Sequence, residues 1–299
     1  MKLVRHGPLG AERPGFLDEQ GLLRDLSGHM DDIAGEVLSR HSLRALSRVE
    51  PHTCPILPSA TRLGACVGRV GKFICIGLNY ADHAAESGAD VPTEPVIFLK
   101  ATTAICGSCD TIIQPRDSRK LDWEVELGVV IGERAKYVTV ETALDYVAGY
   151  CVVNDVSERE FQLERGGTWD KGKGCDTFGP IGPWLVTRDE IPDVNNLAMW
   201  LDVNGRRFQS GSTRTMIFRP DFLVSYVSRF MTLLPGDIIS TGTPPGVGMG
   251  QKPPRYLETG DVVELGIESL GRQRQIVAEE RHNLDLERSV DSIRSGDKT

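Results

Sequence analysis

Two glutamates spaced two residues apart, Glu124 and Glu126, lie inside the mostly apolar run 122–132. The run predicts a β-strand, and because successive side chains of a strand point to opposite faces, both carboxylates share one face. Two buried like charges repel each other and lose hydration unless a cation lies between them. A water-facing strand would explain an isolated Glu-x-Glu pair more simply, but residues 128–132 are apolar on both faces. The pair therefore predicts an interior strand and a divalent metal ion.

Asp155 offers a third carboxylate to the same site. It directly follows the predicted strand 149–154, and the end of a strand is a usual place for a ligand. Glu124, Glu126 and Asp155 together give three hard oxygen donors, which suit Mg²⁺, Mn²⁺ or Ca²⁺ and not zinc or copper. Three carboxylates leave coordination positions free for water and substrate, so an open, catalytic metal site is predicted.

A base that works near neutral pH would complete such a site, and His83 with Glu86 is the candidate. Their spacing of three residues within a predicted helix, residues 80–87, puts imidazole and carboxylate on one helical face, within reach of a shared water. Exposed pairs of this kind are more often structural, because they form at little cost. The interpretation of the pair therefore depends on the groups around it.

Three further segments of the sequence offer cations or backbone hydrogen-bond donors to the same site. Lys173 lies in a glycine-flanked loop, Arg159 lies four residues beyond the third carboxylate, and the loop 241–248 directly follows a strand. Lysine and arginine are mostly exposed, so solvent is the simpler assignment for each one taken singly. Backbone N–H groups of the loop, that of Gly242 among them, and the Thr243 hydroxyl could receive an anionic oxygen.

These residues must be positioned by a fold in which strands outnumber helices. The predicted strands are 73–77, 96–100, 124–131, 149–154, 183–186, 198–203, 237–241 and 261–267, with a hairpin turn at Asn204-Gly205. The predicted helices are 31–40, 80–87, 139–143, 158–165 and 220–230. Long helices do not alternate with strands, so a β-rich α+β fold is predicted in place of a doubly wound parallel sheet. A shift in composition predicts three regions: a small N-terminal domain over 1–70, a catalytic domain over 71–281 and a polar tail over 282–299.

Charge and composition argue against several classes of partner. The 299-residue chain has a formal net charge of −8, which argues against nucleic acid and anionic membranes. No apolar run approaches the ~20 residues that span a bilayer, and residues 1–8 lack the apolar core of a signal peptide. The seven scattered cysteines do not suggest a disulfide framework. We expect a cytoplasmic protein that acts on a small molecule.

Five groups of residues occur here in the order in which the fumarylacetoacetate hydrolase family carries them, and the resemblance covers residues 72–280. They are Asn79-Tyr80 with His83 and Glu86, Glu124-Val-Glu126-Leu-Gly128, Asn154-Asp155 with Arg159, Lys173 with Asp176, and Thr241-Gly242-Thr243 with Val247. The resemblance implies a mixed β-sandwich or roll around a metal ion, usually in a homodimer.

The same resemblance implies a role for each candidate residue. Glu124, Glu126 and Asp155 would be ligands of Mg²⁺ or Mn²⁺. The roles implied for the remaining residues are a water-activating pair on a mobile lid (His83 and Glu86), a cation beside the metal (Lys173), and contacts near the substrate (Arg159, Gly242 and Thr243).

Within the family, residues 164–180 and the N-terminal extension are similar to a branch of bacterial sugar-acid hydrolases, one of which acts on 2,4-diketo-3-deoxy-L-fuconate. Cys175 departs from that pattern, since many relatives have phenylalanine there. The resemblance implies metal-dependent hydrolysis of a C–C bond in a 2,4-diketo acid (an acylpyruvate), such as a diketo-deoxy sugar acid, with release of pyruvate. Isomerisation or decarboxylation of a 2-keto diacid through the same metal-bound enolate is the alternative, and a non-catalytic metal-binding protein is a third hypothesis.

Overall fold

The structure is a computed structural model that describes residues 1–82 and 91–280. Within those ranges the strands are β1 (Lys2–His6), β2 (Arg13–Leu17), β3 (Leu23–Asp25), β4 (Phe73–Gly77), β5 (Val96–Lys100), β6 (Ile105–Cys106), β7 (Ile112–Gln114), β8 (Leu121–Asp122), β9 (Val125–Ile131), β10 (Val147–Asn154), β11 (Ser157–Glu158), β12 (Gly179–Thr187), β13 (Ala198–Val203), β14 (Arg206–Ser212), β15 (Ile238–Ser240), β16 (Val262–Ile267) and β17 (Gly271–Glu279). The α-helices are α1 (Arg40–Leu46), α2 (Val140–Ala143), α3 (Arg159–Leu163), α4 (Asp170–Lys173) and α5 (Pro220–Phe230). Short 3₁₀ turns occupy Gly35–Leu38, Pro51–Thr53, Thr102–Ala104, Leu144–Tyr146, Arg188–Glu190, Thr213–Thr215 and Gly248–Gly250. In these ranges strands outnumber helices, as the sequence predicts.

The larger sheet has β9 and β10 near its centre, in the order β3-β2-β1-β12-β10-β9-β15-β4-β5, with β6 paired to β12. Both central strands are buried along their whole length. On β9, Leu127 and Val129 belong to the core shared with the second sheet, whereas Val130 belongs to the core shared with the N-terminal segment. The predicted strand 124–131 is therefore an interior strand, and it begins one residue later, at Val125.

The second sheet, in the order β14-β13-β16-β17-β7, is tied to the first through buried glutamines. Gln273 on β17 donates to the Val152 carbonyl on β10 at 2.8 Å. Its hairpin β13–β14 turns at Asn204 and Gly205, whose φ angles of 52° and 75° fit the turn that Asn-Gly favours. The predicted hairpin is confirmed.

The first 70 residues contribute strands to the larger sheet. Strand β1 pairs antiparallel with β12, Lys2 opposite Val186, and β2 and β3 continue the sheet outward. The sheet is therefore continuous across the predicted boundary near residue 70, and the division into domains stays a prediction.

The predicted helix 31–40 is wrong. A 3₁₀ turn, Gly35–Leu38, occupies part of that range, and the α-helix begins at Arg40. Ser39 caps this helix by accepting the Ser42 N–H at 3.2 Å, and serine is among the most favoured residues at that position. The predicted helix thus starts nine residues before the observed one, in the segment that contains the 3₁₀ turn.

Two predicted segments fall largely or wholly outside the described residues: the helix 80–87, beyond residue 82, and the polar tail 282–299. Among the helices that the structure does describe, none has both the length and the apolar character needed to cross a membrane.

Candidate metal centre

Three buried carboxylates meet where β9 and β10 run side by side. Glu126 lies on β9, Glu124 directly precedes that strand, and Asp155 directly follows β10. The antiparallel register pairs Asn154 with Val125, and the Asp155 N–H donates to the Glu124 carbonyl at 2.9 Å. One oxygen of each carboxylate lies within 4.8 Å of the other two. The structure thus brings the three predicted ligands together.

Lys173 bridges two of these carboxylates. It ends α4 with its side chain buried, and its Nζ lies 2.8 Å from Glu124 Oε2 and 2.8 Å from Asp155 Oδ2. Burial by itself would lower the pKa of this amine, but the charges of Asp155 and Glu124 outweigh it and hold the pKa above its ordinary value. The lysine is therefore a fixed positive charge beside the predicted metal site.

Arg159, at the start of α3, has contacts through all three of its guanidinium nitrogens. Its Nε donates to Asp122 Oδ2 at 2.8 Å, and its Nη2 donates to Glu124 Oε1 at 2.6 Å. Its Nη1 donates to Gln162 Oε1 at 3.0 Å. Asp122 also accepts the Gly248 N–H at 2.6 Å, which ties the arginine to that loop. Arg159 therefore holds one oxygen of Glu124 in a fixed direction.

Lys100 is a second buried lysine at the site, and the sequence reasoning missed it. It ends β5, and its Nζ donates to Asp155 Oδ1 and, at 3.0 Å, to the Val156 carbonyl. Since Lys173 contacts the other oxygen, both oxygens of Asp155 are held by lysines. Most lysines are exposed, so the residue type did not indicate that Lys100 is buried. The apolar run that precedes it in β5 was the only local indication.

Glu126 is held by neutral donors in place of a cation. Ser240 Oγ donates to its Oε2 at 2.6 Å, and the Gly242 N–H donates to the same oxygen at 2.9 Å. No ion pair to Glu126 is formed by the part of the chain that the structure describes. Burial raises the pKa of this carboxyl well above its ordinary value, and the charges of Asp155 and Glu124 raise it further.

Among the described residues, the ionised charges of this cluster do not balance, because four buried carboxylates are matched by three buried cations. The carboxylates are Asp122, Glu124, Glu126 and Asp155, and the cations are Lys100, Arg159 and Lys173. A divalent cation would neutralise the surplus negative charge, and an all-oxygen donor set is what Mg²⁺ and Mn²⁺ prefer. The residues therefore fit a divalent metal ion.

The sequence also contained a signal for Asp122 that went unused. Asp122, Glu124 and Glu126 follow one another at a spacing of two, which places three carboxylates on one face of an extended segment. Gln209 was missed as well, because it reaches the site from the second sheet: its Oε1 accepts the Val125 N–H at 3.0 Å.

The predicted anion-binding loop directly supports the strand that carries Glu126. The Thr243 hydroxyl donates to the Val125 carbonyl at 2.9 Å and accepts from Gln209 Nε2 at 2.8 Å. The Gly242 N–H is directed at Glu126. These contacts fix the position of the glutamate, and a contact from Gly242 or Thr243 to substrate stays a prediction.

A cavity of about 160 Å³ opens beside the cluster. Glu124, Glu126, Arg159, Gln162, Lys173 and Thr243 line one end, and apolar side chains, Phe98 and Trp169 among them, line the rest. An apolar cavity with a few converging polar groups is the usual form of a small-molecule site. Cys175, the departure noted above, is not among the lining residues. His83 and Glu86 lie outside the described residues, so their place in this site stays a prediction.

Solved structures with the same overall fold include enzymes of more than one reaction type. A 5-carboxymethyl-2-hydroxymuconate delta-isomerase from Mycobacterium smegmatis is 33% identical, with a TM-score of 0.74, over 94% of this chain and 100% of that one. A maleylpyruvate hydrolase from Sphingobium sp. SYK-6, solved in complex with manganese(II) ion and pyruvate, is 27% identical, with a TM-score of 0.78, over the same shares of the two chains. The predicted β-rich α+β fold is confirmed by these matches.

Sequence comparison covers almost the whole chain. A Burkholderia multivorans protein that is provisionally named a hydrolase is 64% identical over 277 residues, which are 92% of this chain and 98% of the relative. The family profile described as fumarylacetoacetate (FAA) hydrolase C-terminal matches residues 72–278. The chain belongs to the fumarylacetoacetate hydrolase family.

Proposed function

We propose that this protein is a divalent-metal-dependent hydrolase that cleaves a C–C bond of an acylpyruvate and releases pyruvate. The observation that carries the proposal is the buried cluster of Glu124, Glu126 and Asp155, which has a small cavity beside it and, among the described residues, one carboxylate more than the buried cations around it. A purely structural ion would need neither the cavity nor the buried lysine that borders it. The maleylpyruvate hydrolase that shares this fold was solved with manganese(II) and pyruvate, which supports both the metal and the product.

Glu124, Glu126 and Asp155 are the residues that would hold Mg²⁺ or Mn²⁺, with Ca²⁺ as a further candidate. When bound, such an ion supplies Lewis-acid stabilisation of negative charge on a substrate oxygen. Lys173 is held at 2.8 Å from two of these carboxylates, and its positive charge favours the pyruvate enolate, whose charge develops as the C–C bond breaks.

His83, oriented by Glu86, is proposed to take a proton from the attacking water. The resulting hydroxide adds to the 4-keto carbon, and the bond between C3 and C4 then breaks. The electron pair of that bond passes to the pyruvate fragment as its enolate, which takes up at C3 the proton that His83 removed from water. The acyl fragment leaves as a carboxylic acid, so one water is consumed for each pyruvate released.

Arg159, Gly242 and Thr243 are proposed to lie on the substrate side of the site. Two of these groups also orient carboxylates, since Arg159 contacts Glu124 and Gly242 contacts Glu126. The substrate is proposed to be a small 2-keto acid, the assembly a homodimer and the location cytoplasmic. A diketo-deoxy sugar acid is one candidate substrate, on the resemblance of residues 164–180.

Isomerisation or decarboxylation of a 2-keto diacid is a second candidate, because the related M. smegmatis enzyme is an isomerase and the same cluster would stabilise an enolate in either reaction. Product analysis separates the candidates. The purified protein with Mg²⁺ is incubated with acylpyruvates and with 2-keto diacids, and pyruvate, CO₂ and isomers are quantified. Pyruvate with an equal amount of carboxylic acid supports the hydrolase, whereas CO₂ or an isomer as the main product would replace it.

A further inference from the structure

The cavity beside the carboxylates has an apolar wall formed by six side chains: Ile76, Leu78, Phe98, Leu163, Trp169 and Met249. The wall begins at the polar end, because Lys173 Nζ lies 5.1 Å from the centre of the Phe98 ring. It continues to Trp169, whose ring centre is 5.3 Å from that of Phe98 in an edge-to-face arrangement. A molecule bound with its acid group among the charged residues therefore extends along an aromatic surface.

Trp169 is held in this position by the backbone of β4. A Cβ atom added to Gly77 would lie 2.5 Å from Trp169 Cζ3 and 2.9 Å from its Cη2, so the ring rests directly on the glycine. Trp169 is only partly buried, and it precedes α4, the helix that ends at Lys173. The indole ring therefore packs against Gly77 and also lines the cavity.

The wall offers little to a hydroxyl group. Apart from the indole N–H of Trp169, none of its six side chains carries a hydrogen-bond donor, and the Met249 sulfur is only a weak acceptor. At the polar end, the Thr243 hydroxyl is already engaged on both sides, by the Val125 carbonyl and by Gln209. A hydroxylated chain lying along the wall would lose its bonds to water and would find only the indole N–H there to replace them.

We propose that this apolar wall, with Trp169 as its main residue, determines which acyl group is accepted, and that it selects apolar acyl groups over polyhydroxylated ones. The inference rests on the proposed function, since it assigns the polar end to the pyruvate half of an acylpyruvate and the wall to the acyl half. It favours an unsubstituted aliphatic or aromatic acylpyruvate over a sugar-derived diketo acid.

The test measures binding, so that it does not depend on turnover. Two 2-keto acids that lack the cleavable 4-keto group, 2-oxohexanoate and 2-keto-3-deoxygluconate, are titrated calorimetrically into the Mg²⁺-loaded protein. We expect 2-oxohexanoate to bind about 10- to 100-fold more tightly, the range over which apolar pockets discriminate single groups. Tighter or equal binding of the polyhydroxylated acid would overturn the inference, as would failure of both acids to bind.

Three variants connect the preference to Trp169. Trp169→Ala should weaken binding of 2-oxohexanoate about 10-fold and change that of 2-keto-3-deoxygluconate less than about 3-fold, and Trp169→Phe should restore most of the difference. Gly77→Ala should act like Trp169→Ala, because its methyl group displaces the ring without replacing any wall side chain. The matched control is Gly28→Ala, since a Cβ at Gly28 meets no atom within 4 Å.

Equal loss of both ligands in Trp169→Ala, with the melting temperature unchanged, would assign Trp169 a general structural role and overturn the inference. Failure of the proposed function looks different. If the binding preference is present but no acylpyruvate yields pyruvate, the wall is selective and the reaction is another one. If pyruvate is released and the preference is missing, the hydrolase stands and the inference on the wall is wrong.

Discussion

Replacing Glu126 by glutamine should make the metal-free protein more stable, although it removes a predicted metal ligand. Among the described residues, the cluster holds one more carboxylate than it has cations, and Glu126 is held by Ser240 and Gly242 without an ion pair. An uncompensated buried charge costs several kcal/mol, and each of the two hydrogen bonds loses about 1 kcal/mol when the acceptor becomes neutral. The balance is a gain of roughly 1–3 kcal/mol at a pH high enough to ionise Glu126, or about 2–5 °C in melting temperature for a chain of 299 residues.

Thermal unfolding measures this effect, first after removal of metal by a chelator and dialysis, and then with Mg²⁺ added. In the wild-type protein, Mg²⁺ at 100 times its dissociation constant should add about 2.7 kcal/mol to the free energy of unfolding. In Glu126→Gln the same addition should change the melting temperature little, because a ligand is missing. The variant thus gains stability without metal and loses the response to metal.

Glu158 provides a matched control, since it is also a fully buried glutamate. Its carboxylate accepts the backbone N–H groups of Arg119, Lys120 and Glu160 at 2.9–3.0 Å, outside the carboxylate cluster. Glu158→Gln should therefore lower the stability by about 1–3 kcal/mol and keep the response to Mg²⁺. A metal-free Glu126→Gln protein that is less stable than the wild type, or that still responds fully to Mg²⁺, would refute the reasoning on surplus charge.

Three further predictions concern the same cluster. Lys100→Met should weaken Mg²⁺ binding, measured by calorimetry, about 10- to 100-fold, because the variant no longer holds one oxygen of Asp155. Lys72→Met removes an ion pair outside the site and should leave Mg²⁺ binding unchanged. Equal effects of the two variants would contradict this role for Lys100. His83→Ala should keep Mg²⁺ affinity and lose pyruvate release by at least about 100-fold, so an undiminished rate would exclude it as the base. Burial, with the neighbouring carboxylates, raises the pKa of Glu126, so its neutral form stabilises the metal-free protein at low pH and that contribution is lost as pH rises through the raised pKa. The melting temperature without metal should accordingly fall as the pH rises above the ordinary pKa of a glutamate, about 4.3, and the rise caused by Mg²⁺ should grow, whereas a pH-independent Mg²⁺ response would contradict the shift.

The parts of the site that the sequence predicted are those with a local pattern. Alternation along one strand placed Glu124 and Glu126 on a common face, and the end of the next strand supplied Asp155. Because β9 and β10 are adjacent and antiparallel, residues about 30 positions apart in sequence come together at their ends. The order of the motifs along the chain was enough to predict the family and its β-rich fold.

The residues that the sequence reasoning missed depend on long-range packing. Lys100 is buried where it donates to Asp155, 55 residues later in the chain, and no pattern near Lys100 predicts that contact. Gln209 reaches the site from the other sheet. Trp169 belongs to the cavity because β4 presents a glycine at Gly77. In the N-terminal segment, Ser39 caps the α-helix and fixes its start at Arg40, so the predicted range 31–40 ends where the helix begins.

The central claim is that the carboxylate cluster holds a metal ion on which acylpyruvate hydrolysis depends. The most direct test of this claim measures pyruvate release, followed with lactate dehydrogenase, from an acylpyruvate with an unsubstituted aliphatic acyl group. The protein is assayed before metal removal, after metal removal, and after readdition of Mg²⁺ or Mn²⁺. We predict release by the metal-loaded protein, loss of at least about 100-fold on metal removal, and recovery with either ion. Undiminished pyruvate release by the metal-free protein, or no release by the loaded protein, would contradict the account.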